Sequence, residues 1–192
     1  MKLKLLTFTL LSTILFSCGN REETKIKNES EPVNEALTAD TKLEDLKTEA
    51  SRLRAGGSIK TVELVGEKAT ITYVANYTEY KQINPQSSLT EEQLKAYWET
   101  GDAIHKALID GSVRIIRKLD FVNEVNIILP YQNNIYEISV NKQELEKFIG
   151  SDFETIINNW EKTFYDPYVY TKEGRKAFFE KFRVNYSYRM RK

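Results

Sequence analysis

Cysteine is almost missing from this chain: there is one in 192 residues, Cys18. A lone thiol closes no internal disulfide, so no covalent staple holds the fold, even in an oxidising compartment. Histidine is as scarce, with His105 alone. That removes metal sets built on several imidazoles and thiolates, and a Ser-His-Asp triad would have to run through His105. Gly-x-Ser-x-Gly elbows, glycine-rich phosphate loops and Asp-x-Asp-x-Asp-Gly calcium loops do not occur. No apolar run approaches the roughly 20 residues of a membrane-spanning helix. Formal net charge is zero. No metal and no cofactor is expected.

The longest apolar stretch lies at the start. Lys2 and Lys4 precede Leu5, Leu6, Phe8, Leu10, Leu11, Ile14 and Leu15, with small hydroxyls between, and polar sequence follows Cys18 at once. At about eleven residues this run is too short to cross a ~30 Å hydrocarbon core, and it reads as an export signal. Leu15-Phe16-Ser17-Cys18 resembles the lipobox of bacterial lipoproteins, with Leu15 at −3, Ser17 at −1 and Cys18 at +1. The resemblance implies that residues 1–17 are removed and that Cys18 carries a diacylglyceryl thioether and an N-acyl chain. Each buried CH₂ contributes about 0.8 kcal/mol, so several chains hold stably where one holds weakly. Gly19 stands where an inner-membrane retention signal has aspartate, and Glu22-Glu23 is similar to the export signal of surface lipoproteins in Bacteroidota. The implied location is the cell envelope, anchored at the outer membrane.

Residues 18–40 are rich in Glu, Asn, Lys and Thr and poor in large apolar side chains. Such a segment buries too little surface to offset the entropy of ordering, so it reads as a lipidated tether. Residues 41–57 read as a short amphipathic helix: Thr41 and Glu44 suit a capping box, and Leu43, Leu46, Ala50 and Leu53 recur at three and four before Gly56-Gly57. Residues 58–192 then form one domain.

That domain reads as α+β. Residues 61–65 and 70–75 alternate around Gly66-Glu67-Lys68, a first hairpin. Thr90 with Gln93 opens a helix whose apolar stripe, from Leu94 through Trp98, Gly101, Ile104, His105, Leu108 and Ser112 to Leu119, stays in phase. It predicts one continuous helix of about 28 residues, about 42 Å long. The second hairpin pairs 125–129 with 136–140 through Gln132-Asn133-Asn134, residues that suit positive φ. Short helices follow, capped at Asn141, Ser151 and Thr171, with Asp166-Pro167 as a breaker and alternating residues 182–190 as a last strand. The expected fold is an antiparallel or mixed sheet from two β-hairpins separated by one long helix (ββαββ), followed by short C-terminal helices.

Charge is uneven within the neutral total. Residues 59–171 hold eleven basic and seventeen acidic side chains, whereas residues 172–192 hold eight basic and two acidic. The basic, aromatic end, with Arg183, Tyr186, Tyr188 and Arg189, suits an anionic lipid or wall polymer, or folds back on the acidic domain. Tyr165, Tyr168 and Tyr170 flank Asp166-Pro167 in an expected loop and offer stacking faces and hydroxyls to a glycan or protein. His105 lies in the apolar stripe and is expected as a buried neutral imidazole. Nucleic acid is an unsuitable partner for an exported chain. These features favour a membrane-anchored, non-enzymatic binding module for a protein or glycan. The rivals are a hydrolase using carboxylates across a cleft, which sequence spacing does not reveal, and a structural protein that binds anionic surfaces through its tail.

Overall fold

The computed structural model describes residues 31–100 and 102–184, with side chains from Thr38 onward. Helix α1 (Glu31–Ser51) leads through a 3₁₀ turn (Gly56–Ser58) into the strands β1 (Ile59–Val65) and β2 (Lys68–Tyr73). Helices α2 (Tyr77–Ile83), α3 (Glu91–Glu99) and α4 (Asp102–Lys118) follow, then β3 (Glu124–Tyr131) and β4 (Asn134–Asn141). Helices α5 (Lys142–Ile149) and α6 (Phe153–Asn158), a π-helical segment (Glu161–Tyr170) and α7 (Lys172–Phe182) are the last elements among the described residues.

The fold is α+β, and its sheet is mixed. Strand order is β1-β2-β3-β4; β1 with β2 and β3 with β4 are antiparallel hairpins, while β2 and β3 run parallel. Alternation sends Ala69, Ile71, Tyr73, Val125, Ile127, Leu129, Ile138 and Val140 into the core. The opposite face carries Thr61, Thr70, Thr72 and Ser139, together with a buried Asn126 whose Nδ2 donates to Glu137 Oε1 at 3.0 Å.

Between the hairpins the predicted long helix is replaced by two, α3 and α4, and a further helix precedes them. This is α2, which begins where the Asn76 side chain accepts from the Glu79 N–H. The predicted stripe itself divides at Thr100. Its N–H bonds the Trp98 carbonyl and ends α3, while its hydroxyl accepts from the Ala103 N–H at 3.2 Å and starts α4. A threonine that offers the backbone a local partner outweighs an unbroken apolar phase. Gly101 lies outside the described residues. Helix α4 runs unbroken through Asp110-Gly111, and a Cβ at Gly111 would sit 3.1 Å from Ile127 Cδ1, so the glycine brings α4 close onto β3.

Local signals elsewhere read well. Thr90 and Gln93 form both halves of a capping box, Asn141 caps α5, Gly150 ends it with φ 81°, and Thr171 caps α7. Two caps differ. Helix α6 starts at Asp152, one residue after Ser151, because the Asp152 carboxylate accepts from Thr155 N–H at 2.8 Å. Thr41 lies inside α1, which begins at Glu31.

The expected loop around Asp166-Pro167 is instead helical. Widening the turn to i→i+5 lets the chain pass Pro167, and the Thr171 N–H closes on the Asp166 carbonyl at 3.3 Å. The Pro167 carbonyl accepts from Thr171 Oγ1 at 2.6 Å and presses against Gly174 of α7. Beyond α7, Arg183 bridges antiparallel to Ile138, and Val184 N–H donates to the Glu137 carbonyl at 3.0 Å. Of the predicted last strand, Phe182 instead ends α7, Arg183 makes an isolated bridge at the outer edge of β4, and residues 185–190 lie outside the described residues.

A Cβ at Gly174 would overlap the Pro167 carbonyl oxygen. Replacing a helical glycine by alanine normally stabilises by up to ~1 kcal/mol; here overpacking reverses the sign. Gly174→Ala is expected to cost about 1–3 kcal/mol, a fall of roughly 3–10 °C in Tm by circular dichroism. Gly57→Ala, with nothing within 4 Å of the added methyl, should leave Tm nearly unchanged. A Gly174→Ala protein melting at or above wild type would refute the close approach.

Candidate functional site

Because β2 and β3 are parallel, their carboxyl ends lie side by side. The chain leaves β2 through Val74-Ala75-Asn76 into α2, and leaves β3 through a tight turn into β4. Gln132 and Asn133 make that turn with φ 46° and 63°, the positive values expected of it. Helix α3 crosses the same end of the sheet. Its residues Glu91, Leu94, Lys95 and Trp98 share one helical face, and that face lines a cleft of about 490 Å³ with the β2–α2 connection and the β3–β4 turn. The outside of parallel strand ends is where open sheets collect ligands.

The floor of the cleft is apolar and fixed. Leu94 and Trp98 are buried, and Trp98 meets Tyr73 and Tyr97 edge-to-face at 5.8 and 4.7 Å between ring centroids. Tyr77 forms one wall, its hydroxyl donating to the Leu89 carbonyl at 3.0 Å. Tyr131 forms another, donating to the Lys95 carbonyl at 3.3 Å and so linking β3 to α3. Burial, then the nearby Glu99 carboxylate, pushes the Tyr131 phenol up, so it stays a neutral donor. The rim is polar: Asn76, Glu91, Lys95, Gln132, Asn133 and Asn134. Next to the lining residue Ala75, Glu79 accepts from the Ala75 N–H at 2.8 Å and pairs with Lys60 at 2.7 Å; these two partners hold its carboxyl below the ordinary range.

The charge lining the cleft is balanced. Among the described residues Glu91 is the carboxylate lining the cleft and Lys95 the ammonium. Two carboxylates flanking one bond, the arrangement needed for the hydrolase reading, are not assembled there.

The tyrosines singled out by sequence lie elsewhere. Tyr165 accepts a hydrogen bond from Arg54 at 3.0 Å, and Arg54 lies 3.4 Å from Asp110, itself 3.1 Å from Arg114. Tyr168 packs on Phe148 and Phe178, with centroids 5.1 and 6.0 Å apart. Tyr170 is exposed, and its carbonyl accepts from Arg175 at 2.6 Å. The three sit on a helical segment, so they do not form the expected loop. Arg183 pairs with Glu180 at 3.2 Å and lines a second groove, of about 360 Å³, beside Phe179 and Ile135. Arg175 with Asp102 and Lys181 with Glu144 add ion pairs at 2.8 and 3.3 Å, so this part of the basic surplus folds back on acidic groups. Cys18, Tyr186, Tyr188 and Arg189 lie outside the described residues.

His105 is half-buried against Phe179 and Tyr136, at 4.6 and 6.3 Å between ring centroids. Burial, aided by Arg175 and opposed by Asp102, holds its imidazole below the ordinary value. No metal-sized group of His, Cys, Asp and Glu converges among the described residues.

The unfolded chain therefore protonates His105 more readily than the folded chain once pH falls below about 6.5. The stability tied to the neutral imidazole is present above that pH and is lost as pH falls towards the lower folded value. The urea midpoint should drop between about pH 7.5 and 5.5, and His105→Gln should flatten that drop. Carboxylates held low, such as Glu79 and Glu124, titrate below this window. An unchanged slope in the variant would assign the transition to another group.

No protein-family model matches this chain, and no curated protein or solved structure does either, so the cleft's own geometry carries the functional reading.

Proposed function

We propose that this protein is a lipid-anchored lipoprotein of the bacterial cell envelope, and that its domain binds a ligand in the cleft without transforming it. The carrying observation is the cleft itself: an apolar, aromatic floor with a polar rim, at the carboxyl ends of the parallel strands. Its charged lining among the described residues is one carboxylate and one ammonium, without the second carboxylate that hydrolysis across a cleft uses. The anchor rests on Leu15-Phe16-Ser17-Cys18 and the lysine-flanked apolar run before it. Among the described residues no helix is long and apolar enough to cross a membrane. Attachment through acyl chains on Cys18 supplies a membrane hold that needs no such helix. Residues 19–30 separate Cys18 from α1 and limit that distance to about 40 Å. The domain would then work within reach of the outer membrane, on a partner in the envelope.

Two experiments test the two halves. Cells fed an alkynyl palmitate should label the wild-type protein and not Cys18→Ala, and Cys18→Ala should leave the membrane fraction. Label retained on the variant would refute lipidation at Cys18. For the cleft, the chain from residue 18 with Cys18→Ala is used as bait on detergent-solubilised envelope, with and without Ala75→Trp. Ala75 is an exposed lining residue, so the indole should fill the cleft and spare the core. Envelope material retained by the open cleft and lost from the filled one is the expected result. Equal retention would move the site out of the cleft.

A further inference from the structure

We infer that the cleft takes an uncharged, hydroxyl-rich ligand, the end of a neutral saccharide chain. This rests on the reading of the cleft as the binding site and names what enters it.

Charge is the first discriminator. Glu91 and Lys95 stand four residues apart on the lining face of α3, one acid and one base, and Lys95 also has Glu99 at 3.7 Å. A phosphate or sulfate ligand needs a surplus of donors and positive charge; a cationic ligand needs the reverse. The cleft has no surplus of charge of either sign.

Hydrogen-bonding capacity is the second. Four side-chain amides ring the cleft: Asn76, Gln132, Asn133 and Asn134. Each amide offers two N–H donors and a carbonyl acceptor. A sugar hydroxyl also donates and accepts, so amides satisfy adjacent hydroxyls from either side. Part of this capacity is already committed: Asn76 Oδ1 caps α2, Asn134 Nδ2 reaches the Gln132 carbonyl at 3.3 Å, and Gln132 Nε2 reaches the Tyr131 hydroxyl at 3.2 Å. Asn133 is exposed on the turn, where positive φ at both Gln132 and Asn133 fixes the backbone that presents it.

The apolar part is the third. A pyranose ring has a face of C–H groups as well as its hydroxyls, and aromatic walls such as Tyr77 and Tyr131 cover such a face while keeping their own hydroxyls bonded. The volume of about 490 Å³ lies within the usual range for small-ligand sites. The floor and one wall are held before any ligand arrives: buried Trp98 meets Tyr73 edge-to-face, and Tyr131 is tied to Lys95. A pre-formed site loses little to ordering on binding.

The test is nuclear magnetic resonance titration of the chain from residue 18 with Cys18→Ala. The probes are uncharged oligosaccharides of glucose, galactose, mannose and N-acetylglucosamine, with trialanine and inorganic phosphate as the other arms, each to ~10 mM, where millimolar binding is visible. At least one saccharide should shift the backbone amides of residues 132–135 and the Trp98 indole, and Asn133→Ala should weaken it about fivefold, the value of one hydrogen bond. Silence from every saccharide overturns the inference. Shifts of the same signals by trialanine or phosphate alone overturn it too, while leaving the cleft as the binding site. Whether the cleft reading itself falls is decided separately, by the Ala75→Trp comparison.

Discussion

The parallel pairing of β2 with β3 is the constraint on which the rest depends. Two antiparallel hairpins could have joined edge to edge through a short loop; a parallel seam cannot, and needs a crossover of a dozen residues or more. Helices α2, α3 and α4 are that crossover. Once they exist, α4 must lie on the sheet, and it does so closely because Gly111 has no side chain to hold it off Ile127. The same seam brings two strand exits to one end, and α3 has to pass over them. The cleft is therefore a consequence of strand direction.

A second set of contacts ties the C-terminal half to this frame. Asp110 is buried on α4 between Arg54, from the connection before β1, and Arg114 one turn on. Arg54 reaches on to Tyr165, and its carbonyl accepts from the Tyr73 hydroxyl at 2.9 Å. Burial drives the Tyr73 phenol upward, so it stays a neutral donor. A charge buried this deeply costs several kcal/mol if left alone, so its partners are obligatory even where the pair adds little net stability. The π-helical segment enters the same logic. It swings Tyr165 to Arg54 and Tyr168 to the Phe148–Phe178 cluster, while Pro167 backs onto Gly174. Two of these tyrosines thus pack within their own chain, while Tyr170 stays exposed.

Local signals were readable from residues because their chemistry is local. Thr90 with Gln93, Asn141, Gly150 and Thr171 act within one turn of themselves. The alternation in both hairpins survived for a similar reason, since each strand must turn one face to the core. A mixed sheet was one of the two arrangements expected, but which strands form its parallel seam is non-local. Nothing in residues 61–75 or 125–140 states that the inner strands would meet in parallel, so the cleft at their ends was invisible. Leu94 and Trp98 stood in the stripe as core, and Gln132-Asn133-Asn134 as a turn; both readings are true and incomplete. The proline at 167 misled because a breaker of i→i+4 bonding is not a breaker of every helix.

The balance of the cleft favours recognition over reaction on physical grounds. Catalysis by carboxylates relies on two groups whose environments drive their pKa values apart, commonly by burying one. Here the deeply buried ionisable groups, Asp110, Glu137 and Arg175, sit away from the cleft lining, and the rim of the cleft is open to solvent. Solvent weakens charge and leaves amide geometry intact, so such a rim selects by shape and hydrogen-bond pattern. A binding module of the kind proposed would gain from this division. Its core lies in the sheet and α4, and the rim amides, several of them already hydrogen-bonded, stand outside that core.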